Sequence, residues 1–145
     1  MNQEVTLRII LESPPSGVDY GLQKGGGSDF EVTQKQRSKT GDLQFAFDAR
    51  LKEGKDGLPV LLGPFVHGPP HERFVYLDIG SYAGQTDTPW SRRLKIPLRG
   101  ITWDMVKQAS RAAHVLETRV PGTAKDGSPS CATVKPFAGW KVKRA

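Results

Sequence analysis

One segment of the sequence restricts the fold more than any other, because apolar residues recur at every second position through it. Between residues 43 and 52 the apolar side chains that share one side of an extended chain are Leu43, Phe45, Phe47, Ala49 and Leu51. Most of the intervening residues are polar. A period of two is typical of a strand with one face in a core and one in solvent, as in antiparallel sheets. We predict such a strand here.

Other segments carry the same alternation or a run of β-branched and aromatic residues. They cover residues 5–11, 18–22, 30–36, 61–66, 74–79, 92–98, 115–120, 131–135 and 140–143. The 16 glycines and 11 prolines are spread along the chain without a repeat, which suits short strands joined by turns. The segment 74–79 is apolar on both faces, so we expect it to lie in the centre of a sheet.

A single helix is predicted, over residues 103–112. Thr102 is a good N-cap, and Asp104 lies in the first turn, where a carboxylate interacts favourably with the helix dipole. Ile101 and Val106 have the spacing of a hydrophobic staple. A parallel sheet built from strand–helix–strand units is disfavoured, because it needs a helix between most strands.

These elements predict an all-β fold, a mainly antiparallel sandwich or a partly open barrel, with seven to nine strands and one short helix. The chain of 145 residues has the length of one globular domain, so we expect one over residues 1–145.

Cysteine content and the N-terminal residues indicate a compartment. Cys131 is alone, so no internal disulfide can form, and residues 1–4 lack the basic and apolar regions of a signal peptide. The longest apolar stretches are much shorter than the ~20 residues of a membrane helix. We expect a cytoplasmic protein without a membrane span.

Positive charge is concentrated in the last third of the chain. The net charge is +6, and residues 91–145 alone hold twelve basic and three acidic residues. Such a region attracts anions, whether small ligands, acidic proteins or nucleic acid. Nucleic-acid binding through this third, with Trp103 and Trp140 nearby, is one hypothesis, although no standard motif for it is present.

Basic and amide side chains in the predicted strands provide the candidate binding site. Arginine and glutamine donate the forked hydrogen bonds that recognise carboxylates and phosphates, and aromatic neighbours can stack on a ring. The candidate ligand-binding residues are Gln23, Lys24, Gln36, Arg37, Arg92, Arg93 and Lys95, with Tyr82 and Trp90 beside them. The first hypothesis is therefore a non-catalytic module for a small anionic ligand or an acidic partner. The alternative is an ordinary solvated sheet face.

Residues suited to catalysis or metal binding are few. Gly68, Pro69 and Pro70 separate His67 from His71 and prevent a helical pair there. With His114 and Cys131 as the remaining strong ligands, no zinc-site spacing exists, so we predict neither a metal nor a cofactor. An enzyme would need Cys131, His67, His71 or Asp78 gathered in one pocket, and is the second hypothesis. Burial of Asp78 would raise its pKa, unless an arginine pairs with it.

Several segments together resemble a known bacterial family. They are GLQKG at 21–25, QKQRS at 34–38, FVYLDIG at 74–80 and WSRRLKIPL at 90–98, followed by GITW at 100–103. On these residues the chain resembles the uncharacterised family catalogued as domain of unknown function 5990. The likeness spans nearly the whole chain. It implies a small stand-alone bacterial protein and supplies no activity, cofactor or catalytic residue.

Overall fold

The computed structural model describes residues 2–24, 34–62, 73–80, 90–122, 131–133 and 139–145. These residues form ten strands and one helix. In chain order they are β1 (Asn2–Glu12), β2 (Asp19–Lys24), β3 (Gln34–Arg37), β4 (Leu43–Glu53), β5 (Pro59–Leu62), β6 (Phe74–Gly80), β7 (Trp90–Pro97), α1 (Trp103–Ala109), β8 (His114–Pro121), β9 (Cys131–Thr133) and β10 (Trp140–Arg144). The predicted all-β class with one short helix is confirmed.

The strands form two five-stranded sheets. Sheet I has the order β10-β8-β1-β4-β5, and sheet II has the order β3-β2-β6-β7-β9. Most neighbours are antiparallel, but β1 with β8 and β7 with β9 are parallel pairs. The described strands form two separate sheets and do not close into a barrel. As predicted for the segment 74–79, β6 has a neighbour on each side.

Both sheets contribute to one hydrophobic core. In sheet I, Leu7 and Ile9 of β1 lie opposite Phe47 and Phe45 of β4, so the alternating residues of the two strands meet on the same face. Sheet II adds the alternating apolar residues of β2, β6 and β7 to the same cluster. Complete burial of one such side chain contributes about 1.5–3 kcal/mol, which makes this core the main source of stability. The strand predicted from residues 43–52 is confirmed.

Helix α1 begins as predicted but is shorter. The Thr102 hydroxyl accepts a hydrogen bond from the Met105 backbone N–H at 3.1 Å, and Val106 and Ala109 are buried. The prediction of a helix to residue 112 was wrong, because α1 ends at Ala109 with Ser110 as its C-cap. Ala113 then has a φ of 66°, which turns the chain into β8. Within the described residues, no helix is long and apolar enough to cross a membrane.

Candidate functional site

The register of sheet II determines which predicted binding residues share a face. Leu22, Leu77 and Leu94 lie opposite one another and belong to the core. Residues that alternate with them occupy positions on the other face of the sheet. The predicted binding residues at positions on that other face are Gln23, Arg37, Arg93 and Lys95. Those in register with core residues are Lys24, Gln36 and Arg92. These seven residues of the predicted set are therefore divided between the two faces of sheet II.

Arg37 forms an ion pair across two strands. It lies opposite Asp19, and its Nε and Nη2 donate to the two carboxylate oxygens at 2.8 and 3.0 Å. The Asp19 side chain is 2% exposed, whereas that of Arg37 is 42% exposed. Hydrogen bonds from Arg37 hold the pKa of Asp19 below its ordinary value, although burial opposes them. Arg37 thus satisfies a buried carboxylate in the folded protein.

Gln36 connects the two sheets together with Gln34. In the described part of the chain, β5 pairs only with residues 50–53 of β4. The two glutamines bind the β4 backbone at Gln44 and Ala46, which β5 does not reach. Gln36 Nε2 donates to the Gln44 carbonyl at 2.7 Å. Gln34 donates to the Ala46 carbonyl and accepts a hydrogen bond from the Ala46 N–H at 3.4 Å. These amides take the place of a neighbouring strand, so Gln36 has a structural partner.

Lys95 lies beside an aromatic ring of the adjacent strand. Its ammonium nitrogen is 5.3 Å from the centre of the Phe74 ring, within the range of a cation–π interaction. Lys95 forms no ion pair with a carboxylate of the described residues. The Phe74 ring also lines the pocket described below, so Lys95 lies next to that pocket.

Five other predicted binding residues are placed only through their strands, and a sixth is not placed. Gln23 and Lys24 end β2, and Arg92 and Arg93 lie in β7, opposite Ile79 and Asp78 respectively. Trp90 begins β7. Tyr82 lies outside the described residues. The predicted ligand contacts of these residues remain a hypothesis.

The described residues form a pocket where the turn between β4 and β5 meets the end of sheet II. Its volume is about 520 Å³, a size that accommodates a small organic molecule. Apolar side chains from three separate segments form most of its described walls: Leu58 and Pro59, then Phe74, then Pro97 and Leu98. Leu58 is 41% exposed, so an apolar side chain stands at the mouth of this pocket.

Three charged residues complete the described lining. Arg73 Nη2 donates to Asp56 Oδ1 at 3.0 Å, and this pairing holds the pKa of Asp56 below its ordinary value, with help from the Leu58 N–H. Arg99 is exposed and makes no ion pair with a described carboxylate. The pocket therefore carries one neutralised guanidinium and one that is available for an anion.

Gly54 allows the Asp56–Arg73 pair to form. A Cβ at this position would lie 3.0 Å from Arg73 Nη2 and 3.1 Å from Asp56 Oδ1, closer than side chains normally approach. The Gly54 N–H donates to the Leu58 carbonyl at 2.8 Å, which closes the turn. The turn is thus held in place both by its own backbone and by the ion pair to Arg73, which directly precedes β6.

The residues of the enzyme hypothesis are only partly placed. Asp78 is buried, and the register sets it opposite Arg93 of β7, which lies opposite Cys131 of β9. His67 and His71 lie outside the described residues. In the part of the chain that the structure describes, no three residues with metal-binding side chains lie together.

Several features of the basic C-terminal third serve the fold. Trp140 is buried, and its indole N–H donates to the Pro97 carbonyl at 2.8 Å, so it is not available to stack on a base. Arg119 lies 3.3 Å from Glu12 and 3.8 Å from Glu117, and the same Glu117 pairs with Arg8 at 2.8 Å. Part of the positive charge is therefore used within sheet I.

Sequence analysis did not identify Asp56, Arg73 or Arg99 as site residues. Their segments are far apart in the sequence and contain turns and strand ends, which carry no periodic pattern. The one available signal was local: Arg73 and Arg99 each stand beside an apolar strand segment, at the end where the strand begins or finishes. It indicates a shared site only once the pairing of β6 with β7 is known, because that pairing brings Arg73 and Arg99 to the same end of the sheet.

Comparisons with known proteins extend the resemblance noted from the sequence. A family model described as "Family of unknown function (DUF5990)" matches residues 5–143. No curated protein and no solved structure matches the chain. The family match runs from within β1 to within β10, and its description assigns no activity to any residue. The chain belongs to the family of unknown function DUF5990.

Proposed function

We propose that this chain is a non-catalytic binding domain for a small organic anion with an apolar body, and that the pocket beside Phe74 is its binding site. The observation that carries the proposal is the exposed Arg99 guanidinium at an apolar pocket, without a carboxylate partner among the described residues. The sequence predicted an anionic ligand. The site proposed here is centred on Arg99 and includes Lys95 from the sequence-predicted set.

Two physical effects favour such a ligand. Apolar walls stabilise an apolar body by about 25 cal/mol for each Å² removed from water. A guanidinium donates two parallel hydrogen bonds to a carboxylate, which fixes the orientation of the anion as well as attracting it. The described walls hold no hydroxyl, thiol or imidazole group, so they offer no nucleophile and no base other than Asp56, which is paired.

The proposal is tested by titrating the whole protein with octanoate and with naphthoate in a calorimeter. We expect saturable binding of at least one of them, with one site per chain. Arg99→Ala should weaken that binding about tenfold or more, because a hydrogen bond to a charged group contributes about 1.5–3 kcal/mol.

Arg50→Ala provides the matched control. Arg50 is another exposed arginine, and it lies on β4 outside the pocket. Its Nη2 is 3.6 Å from Glu4 Oε1, in a surface pair that contributes little to stability. Its removal lowers the net charge by the same amount as removal of Arg99. Equal loss of binding in both variants would mean that overall charge attracts the probe, and would refute a site at Arg99.

A cytoplasmic location in bacteria belongs to this proposal. The single cysteine supports it, since a protein without internal disulfides needs no oxidising compartment. Cell fractionation with an antibody against the chain would test it.

A further inference from the structure

Three of the eight described lining residues of the pocket have rigid rings. Phe74 and Pro97 lie directly opposite each other on β6 and β7, and Pro59 contributes a second pyrrolidine ring from β5. These rings have almost no rotational freedom to lose when a ligand packs against them. A flat, rigid ligand likewise loses little conformational entropy on binding. A flexible chain loses rotational entropy for each bond that becomes fixed. Rigid walls therefore favour an aromatic ligand body over an aliphatic chain.

The charges of the pocket limit the ligand to one negative charge at this site. Arg73 is neutralised by Asp56, so among the described lining residues Arg99 is the cation that is left for the ligand. The Asp56–Arg73 pair has no net charge, so it offers little attraction for a second negative charge on the ligand. Lys95 is next to the Phe74 ring, so its charge strengthens attraction for an anion without adding a forked donor.

We infer that the preferred ligand is a flat aromatic monocarboxylate, with its ring against Phe74 and Pro97 and its carboxylate on Arg99. This inference rests on the proposed binding function and specifies its ligand class. Asp56 acts here as a specificity residue, because it keeps Arg73 occupied and disfavours ligands with a dianionic phosphate.

The test compares three probes in the same calorimetric titration: naphthoate, octanoate and phenyl phosphate. Naphthoate should bind about tenfold more tightly than octanoate, and more tightly than phenyl phosphate. Asp56→Asn frees Arg73, so it should raise the affinity for phenyl phosphate about fivefold and that for naphthoate, which has one negative charge, by less. The amide oxygen of asparagine can still accept the Leu58 N–H, so the turn should keep its form, and an unchanged melting temperature would verify this.

The outcomes separate the inference from the function on which it rests. If octanoate binds as tightly as naphthoate and both depend on Arg99, the aromatic class is refuted while the binding function stands. If phenyl phosphate binds most tightly to the wild type, the restriction to one negative charge is refuted. If no probe binds, or if binding survives Arg99→Ala unchanged, the proposed function itself fails.

Discussion

Replacing Arg37 with methionine tests whether this residue stabilises the fold or binds a ligand. The change keeps an unbranched side chain but removes both hydrogen bonds to Asp19, which is 2% exposed. Breaking a fully buried ion pair by removal of one partner costs about 3–5 kcal/mol. The Arg37 head group is partly in water and water can reach Asp19 once it is gone, so we expect a loss of about 1–3 kcal/mol.

The pH dependence of this loss has a definite sign. The pKa of Asp19 is lower in the folded protein than the ordinary value of 3.8, so the ion pair contributes its full stability above that value. The contribution decreases as the pH falls through 3.8 and below, where Asp19 becomes protonated in the folded state as well. Urea denaturation of wild type and Arg37→Met should therefore give a stability difference that is largest above about pH 5 and smaller near pH 3.

Two comparisons make the Arg37 experiment decisive. Arg50→Met removes an exposed arginine with a weaker pair and should change the free energy of unfolding by less than about 0.5 kcal/mol. Naphthoate binding should be the same in Arg37→Met as in wild type, because Arg37 does not line the pocket. A stability difference that does not vary with pH, or one no larger than that of the control, would refute the role assigned to the ion pair.

Three further changes probe contacts between the two sheets and, for Gly122, at the end of sheet I. Gln34→Ala should cost about 1 kcal/mol and speed hydrogen exchange of the Ala46 amide, which now donates to Gln34; unchanged exchange would contradict the contact. Trp140→Phe leaves a buried carbonyl without its donor and should lower the free energy of thermal unfolding by about 1–3 kcal/mol. Gly122→Ala would place a Cβ 2.6 Å from the Pro14 Cα, so urea denaturation should show a loss of about 1–3 kcal/mol, and a neutral result would mean that this backbone yields freely.

The strands could be predicted from the sequence because each carries its own pattern. The alternation through β4 identified Phe45 and Phe47 as core residues, and β1 carries the matching alternation on the strand that pairs with it. The signal for the start of α1 was equally local, because the N-cap Thr102 directly precedes the helix. The end of α1 had no such local signal, because the turn through Ala113 depends on where β8 pairs with β1.

For a candidate site, the sequence indicated which types of residue to consider but not which of them lie together. Cationic and amide residues in strands indicated an anion, but their partners are chosen by register. Nothing in the sequence around Arg37 shows that β2 places Asp19 opposite it, and nothing around Gln36 shows that the β4 backbone lies within reach. The pocket escaped prediction because its walls come from the turn between β4 and β5, the start of β6 and the end of β7.

The position of a bound anion tests the central claim most directly. Nuclear Overhauser effects between naphthoate protons and the isotopically labelled wild-type protein would locate the ligand at residue resolution. The account predicts saturable binding with contacts from the naphthoate ring to Phe74 and Leu58, and shifts of the Arg99 side-chain resonances. Saturable binding with contacts elsewhere on the protein, or no binding at millimolar ligand, would contradict it.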